Sequence, residues 1–197
     1  KDSEKYLTFW KTFGIFIKEG VTSDFEYQKE LAPLLRFESS ATEAGSMTSL
    51  QEYVDRMAEG QEEIYYINGP SRGAIENGPY VEMFKKRDIE ILYTLEPIDD
   101  FVLSHLGEFD GKKLLSADRA DLRLPESTEK KDEAQDEAGE EKLAEAVQTS
   151  LCKWMKEVLG DKVKEVKPST RLVDSPAMIV NTDGYMTSSM ERILAAQ

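Results

Sequence analysis

Three short runs limit the fold of this chain more than any other feature. They are "IYYIN" at 64–68, "IEILYTL" at 89–95 and "KKLLSA" at 112–117. Each is rich in strand-forming residues, and the second is apolar almost throughout. That is the pattern of a strand covered on both faces. Helical patterns lie between them: one runs up to Lys86 with a break near Gly78–Pro79, and "DDFVLSHL" follows the second run. Strand, helix, strand, helix, strand at this spacing predicts a small parallel sheet with right-handed crossovers, sandwiched by helices.

The residues before this unit read as helices. Tyr6, Phe9, Trp10, Phe13, Phe16 and Ile17 recur at three- and four-residue spacing, and Gly20 is expected to end that helix. "DFEYQKELAPLLRF" predicts a second helix with Asp24 as N-cap, and Ser39 to Ser46 reads as a loop. In "TSLQEYVDRM" Thr48 or Ser49 caps a third helix, and Glu52 stands where a capping box needs it.

After the third strand the texture changes. Glu126 to Lys142 holds eight acids and three lysines, with no aromatic and no aliphatic residue larger than alanine. It cannot bury enough apolar area to offset its ordering entropy, and it reads as a linker. Leu143, Val147, Leu151, Trp154, Met155 and Val158 then mark a helix that Gly160 is expected to terminate. "KVKEVKPSTRL" alternates, "AMIV" at 177–180 reads as a short strand, and a final helix carries Met186, Met190 and Ile193 on one stripe. The fold class is therefore α/β followed by α+β. A helical part spans 1–62, a three-layer αβα unit 63–124, an acidic linker 125–142 and the start of an α+β domain 143–197.

Charge and composition remove several functions. A net charge of −14 over 197 residues repels phosphate backbones, so nucleic acid is not an expected partner. No apolar run is long enough to span a membrane. The single cysteine, Cys152, makes no internal disulfide and is expected as a buried thiol. His105 is the only histidine, too few for a zinc site. The first residues show no leader pattern and no starting Met, so both ends are expected to be cuts in a longer protein.

Two turns at carboxyl ends of strands invite a ligand, "NGPSRG" and "EPIDD". The first lacks both the dinucleotide glycine spacing and the Walker lysine. It reads as a turn entering a helix, with a small nucleotide- or small-molecule-binding domain as the rival. In the second, Glu96, Asp99 and Asp100 are placed for acid–base work or for capping, with Asp99 as the expected N-cap. Phe101 follows at the first turn of the helix, as core or as an exposed ring. The Met stripe has the same two readings, because methionine fills cores and also makes adaptable binding faces.

Longer motifs carry a resemblance. "LLRFESSA", "TSLQEYVDRMAEGQEEIYYI", "IEILYTLEPIDDFVLSHLGEFDGKKL" and "RLVDSPAMIV…MERILAAQ" resemble the heat shock protein 90 chaperones, in order, along the whole chain. "EKYLTFWKTFGIFIKEGV" and "HLGEFDGKKLLSAD" look most like the mitochondrial paralogue, the tumour necrosis factor receptor-associated type. The resemblance implies the end of a middle domain and the beginning of a C-terminal domain. It implies a parent that is an ATP- and Mg-dependent homodimer, joined through helices beyond Gln197, with its nucleotide site outside these residues. It implies no catalytic residue and no cofactor here, and a mitochondrial location with the cytoplasm as alternative. Client proteins are the implied partners, with co-chaperones beside them. The implied client contacts are Asp100 and Phe101 on one helix and Tyr185, Met186, Met190 and Ile193 at the last. Phe101 stands where family members often carry Trp.

Overall fold

The computed structural model describes residues 3–119, 122, 124, 145–181, 187 and 190. Its centre is a five-stranded sheet in the order β1-β3-β2-β5-β4. The strands are β1 (Glu38–Ser39), β2 (Glu63–Asn68), β3 (Leu92–Thr94), β4 (Glu108–Phe109) and β5 (Lys112–Ser116). β2 pairs in parallel with β3 and with β5, which is the parallel sheet the three apolar runs predict. Antiparallel β1 and β4 close the two edges. The sheet is thus mixed, and β1 takes Ser39 from the start of the stretch expected as a loop.

The pleat of β2 divides the core. Ile64 and Tyr66 lie in one apolar cluster with Trp10, Val21, Leu50, Tyr53, Val102 and Leu103. Tyr65 and Ile67 lie in the other with Ile75, Val81, Phe84 and Tyr93. Successive side chains of a strand point to opposite faces, so one six-residue strand serves both layers. α1 (Ser3–Ser23), α3 (Leu50–Arg56) and α6 (Pro97–Leu106) supply the first cluster. α4 (Arg72–Glu76) and α5 (Glu82–Lys86) supply the second. The opening helix therefore shares its core with the sheet.

Several local expectations hold and several are corrected. Ser49 caps α3 and Glu52 closes the capping box. α1 runs through Gly20 to Ser23. Gly20 serves packing instead: a Cβ there would lie 2.7 Å from Leu31 Cδ1. The second helix shrinks to α2 (Gln28–Leu31) and a 3-10 turn, Ala32–Leu34. Asp24 does not cap it. Its Oδ1 accepts from Glu26 N at 3.1 Å and Tyr27 N at 3.3 Å, an Asx turn that consumes the residues before the helix. α6 begins at Pro97 with Glu96 as N-cap, and Asp99 closes a reciprocal box from the third helical position. Proline suits a first helical position, because its missing N–H would have no partner there.

From Glu145 to Asn181 the chain behaves differently. α7 (Glu145–Leu159) has no buried residue, and Val147, Leu151, Trp154 and Val158 are exposed along it. Cys152 is only half-buried, since α7 offers no covered face to hold it. Residues 177–180 form no strand. Asn181 alone makes a bridge, parallel to Arg119. Among the described residues the last part of the chain shows no strand, and the acidic linker at 125–142 lies outside them.

Tyr53 ties the layers together. Its hydroxyl donates to Glu90 O at 2.7 Å and accepts from Tyr65 N at 3.1 Å and Gln61 Nε2 at 3.2 Å. Burial pushes this phenol well above its ordinary pKa. Tyr53→Phe keeps the ring but strands a buried strand amide, so a loss of about 1–3 kcal/mol is expected. Urea denaturation followed by far-UV circular dichroism measures it, and an unchanged midpoint contradicts the role given to the hydroxyl.

Candidate functional site

The first turn of α6 is built around a buried ammonium. Lys18 lies on the inner face of α1, 4% exposed. Its Nζ is 2.6 Å from Asp99 Oδ1 and 2.9 Å from Glu96 Oε2, and it sits 5.5 Å from the centre of the Trp10 ring. Burial pushes the Asp99 carboxyl above its usual range, while Lys18 pulls it back. In the capping box Glu96 N donates to Asp99 Oδ2 at 3.2 Å. One carboxylate thus closes the helix start and accepts a cation from a helix far away in sequence. Periodicity missed Lys18, although a charge inside the stripe Trp10, Gly14, Val21 was the available signal.

Asp100 and Phe101 point in opposite directions from this turn. Asp100 is fully buried, and the Thr187 hydroxyl donates to its Oδ2. It does not face solvent as a direct contact requires, because its carboxylate is taken up inside. Phe101 stands 40% exposed. The Tyr66 hydroxyl meets Ser104 Oγ at 3.0 Å and holds α6 to β2 below that ring. The reading of Phe101 as either core or surface is settled for the surface.

The Met stripe is not open where it can be described. Met190 is helical, 4% exposed, and its N–H donates to Thr187 Oγ1 at 3.3 Å. The open face expected at Met190 is therefore closed here. Tyr185, Met186 and Ile193 lie outside the described residues.

The two strand-end turns use their own groups internally. Ser71 Oγ accepts from Ala74 N and caps α4, and a Cβ on Gly69 would lie 2.6 Å from Ile75 Cγ1. That glycine is explained by close packing against Ile75. Glu96 and Asp99 are engaged with Lys18 and with each other, which is the capping reading of "EPIDD".

Sequence reading also missed a strap. Residues 171–180 carry no buried side chain, yet they cross the sheet unit on polar contacts. Arg171 Nη2 donates to Ala117 O at 2.8 Å, and the Tyr80 hydroxyl donates to Ile179 O at 2.6 Å. Glu82 accepts from the N–H groups of Val173 at 2.7 Å, Asp174 at 3.0 Å and Ser175 at 3.0 Å, and from the Ser175 hydroxyl. Those donors, the Ser175 hydroxyl first, hold its carboxyl down at about 2.

What these elements define is a three-layer α/β unit with an aromatic ring held out from a doubly anchored helix start. The family described as Hsp90 protein matches residues 1–197, and the chain belongs to that family. It is 62% identical over 196 residues to the chaperone protein HtpG of Desulfotalea psychrophila, covering 100% of this chain and 31% of that protein. It is 50% identical over 193 residues to HtpG of Desulfitobacterium hafniense and 45% identical over 196 residues to HtpG of Geobacter sulfurreducens, covering 98% and 100% of this chain and 30% of each relative. The chain thus spans less than a third of the length of these relatives. They are bacterial, which overturns both the mitochondrial paralogue and the mitochondrial location.

Removing the ammonium by Lys18→Met leaves Asp99 buried without its cation, and a cost of about 3–5 kcal/mol is expected. Adding Asp99→Leu to that variant is expected to recover part of it, both read as denaturation midpoints. For Glu82 the folded pKa lies below the model-compound value of 4.5. Its contribution is present above pH 4.5 and lost as pH falls through about 2. Amide exchange at Val173, Asp174 and Ser175 is expected to lose protection in that window, and a Glu82→Gln chain is expected to show a weaker transition.

Proposed function

We propose that this chain is the client-contacting part of an ATP-dependent chaperone, passing conformational change between a middle and a C-terminal domain. The observation that carries the reading is Phe101, an exposed ring on a helix start fixed from beneath by Lys18 and by the Thr187 contact to Asp100. Family membership supplies the chaperone context. Non-native proteins expose apolar groups of no fixed geometry, and a rigid ring at a surface accepts many of them at modest affinity.

Asp100 acts in this reading by setting the angle of the helix start. Met190, with Met186 and Ile193 as further proposed contacts and Tyr185 beside them, would join the face when the Thr187 contact opens. The domain division at 62, 124 and 142 belongs to the same proposal. So do the parent's ATP and Mg site outside these residues, its homodimer, its co-chaperones and a bacterial cytoplasmic location.

Phe101→Ser removes a partly exposed ring that the core does not need. Binding of a reduced, carboxymethylated protein to this chain is expected to weaken roughly two- to fivefold, the share of a buried phenylalanine that a ring this exposed can supply. Fluorescence anisotropy measures the change. Equal affinity for the two chains removes Phe101 from the contact.

A further inference from the structure

Phe25 is the most exposed aromatic side chain among the described residues, at 75%. It sits between α1 and α2 in the turn that Asp24 shapes: Asp24 N donates to Gly20 O at 2.9 Å while its carboxylate accepts from Glu26 N. The turn therefore needs Asp24 for its geometry, and nothing in it needs a phenylalanine. Among the described residues the Phe25 ring has one aromatic neighbour, the His105 imidazole, at 5.0 Å between centres and tilted by 47°. His105 is exposed and lies four residues after Phe101 on α6, so the two share one helix face. The α1–α2 turn and the α6 surface are far apart in sequence, and the fold brings them together as one strip: Phe101, His105, Phe25.

The rim of that strip is mainly acidic, although exposed Lys29 follows the first segment and exposed Lys113 pairs opposite Glu108 on the neighbouring strand. Residues 19–28 and 97–109 contain no lysine and no arginine. Exposed Glu19, Asp24, Glu26 and Glu108 stand along these two segments. Lys18, the nearest preceding cation, is spent on Asp99 and Glu96 inside the protein. A second copy of this chain would bring the same acids against themselves, and the whole molecule carries −14.

We propose that Phe101, His105 and Phe25 form one docking strip for an extended polypeptide segment whose large apolar side chains are flanked by lysine or arginine, with Phe25 as a second anchor. This rests on the client-binding reading of Phe101 and adds the second anchor and the charge of the occupant. One helical turn plus one ring contact separates the two phenylalanines by on the order of 10 Å, the reach of about three extended residues. The two rings take apolar side chains of one segment, and the acids meet the cations beside them.

The test uses fluorescence anisotropy on the full 197-residue chain. The probe is a short fluorescein-labelled peptide with two phenylalanines flanked by lysines. A counterpart carries glutamates instead. Phe25→Ser is expected to weaken the lysine peptide at least fivefold, with an unchanged circular dichroism spectrum, because so exposed a ring contributes little to the core. The glutamate peptide is expected to bind at least tenfold more weakly, and salt is expected to narrow the gap. If Phe101→Ser weakens binding and Phe25→Ser does not, the second anchor is overturned and the client reading stands. If neither variant matters, both fall. Equal binding of the two peptides overturns the charge of the occupant. Sedimentation showing a dimer that Phe25→Ser dissolves overturns the proposal in favour of a second copy.

Discussion

One ammonium in the interior organises the rest of this molecule. Lys18 brings a positive charge from α1 into contact with two carboxylates of the α6 start, with the face of Trp10 beside it. Burying charge is costly, and the cost is met only because every partner is close and Asp99 is held by its own capping bond. The consequence is positional. The α6 start is locked to a helix outside the sheet unit, and the next two residues are forced apart, Asp100 inward and Phe101 outward. A helical arm and a sheet unit that read as separate pieces along the chain are thereby joined at one point and around one core.

The molecule uses two kinds of cohesion. The sheet unit is held by apolar burial on both faces of β2, with Tyr53 and Tyr66 directing their hydroxyls to partners at the layer boundaries. The strap at 171–180 buries none of its side chains and is held by hydrogen bonds from Arg171 and Tyr80 and to Glu82. Apolar attachment depends little on pH, whereas the Glu82 attachment depends on one ionised carboxyl. An extended segment with polar anchors can change its seat without opening a core.

The elements that local pattern could reveal are the ones whose signals are local. Alternating and continuous apolar runs marked β2, β3 and β5, and Ser49 with Glu52 marked α3. Pro97 marks a first helical position, yet Asp99 is the expected cap, because aspartate is among the preferred capping residues and glutamate is not. The structure uses Glu96, since Lys18 draws both carboxylates into one cluster. β1 escaped notice because two residues carry no period, and its pairing with β3 is a property of the sheet edge. At the candidate site, Phe101 and Asp100 were visible as residues but not as a pair facing opposite ways. Lys18, Thr187, Glu82 and Phe25 act through partners at long sequence distance, which no window along the chain contains.

By itself, then, the sequence determined the family, the three parallel strands, the main helices and the surplus of negative charge. These follow from composition, short-range periodicity and ordered motifs. Only the tertiary structure decided which charged residue goes inside, that Met190 is covered while Phe101 and Phe25 are not, and that a strap of polar contacts crosses the sheet unit. Burial and pairing depend on what surrounds a side chain in space, and that environment is made by residues remote along the chain.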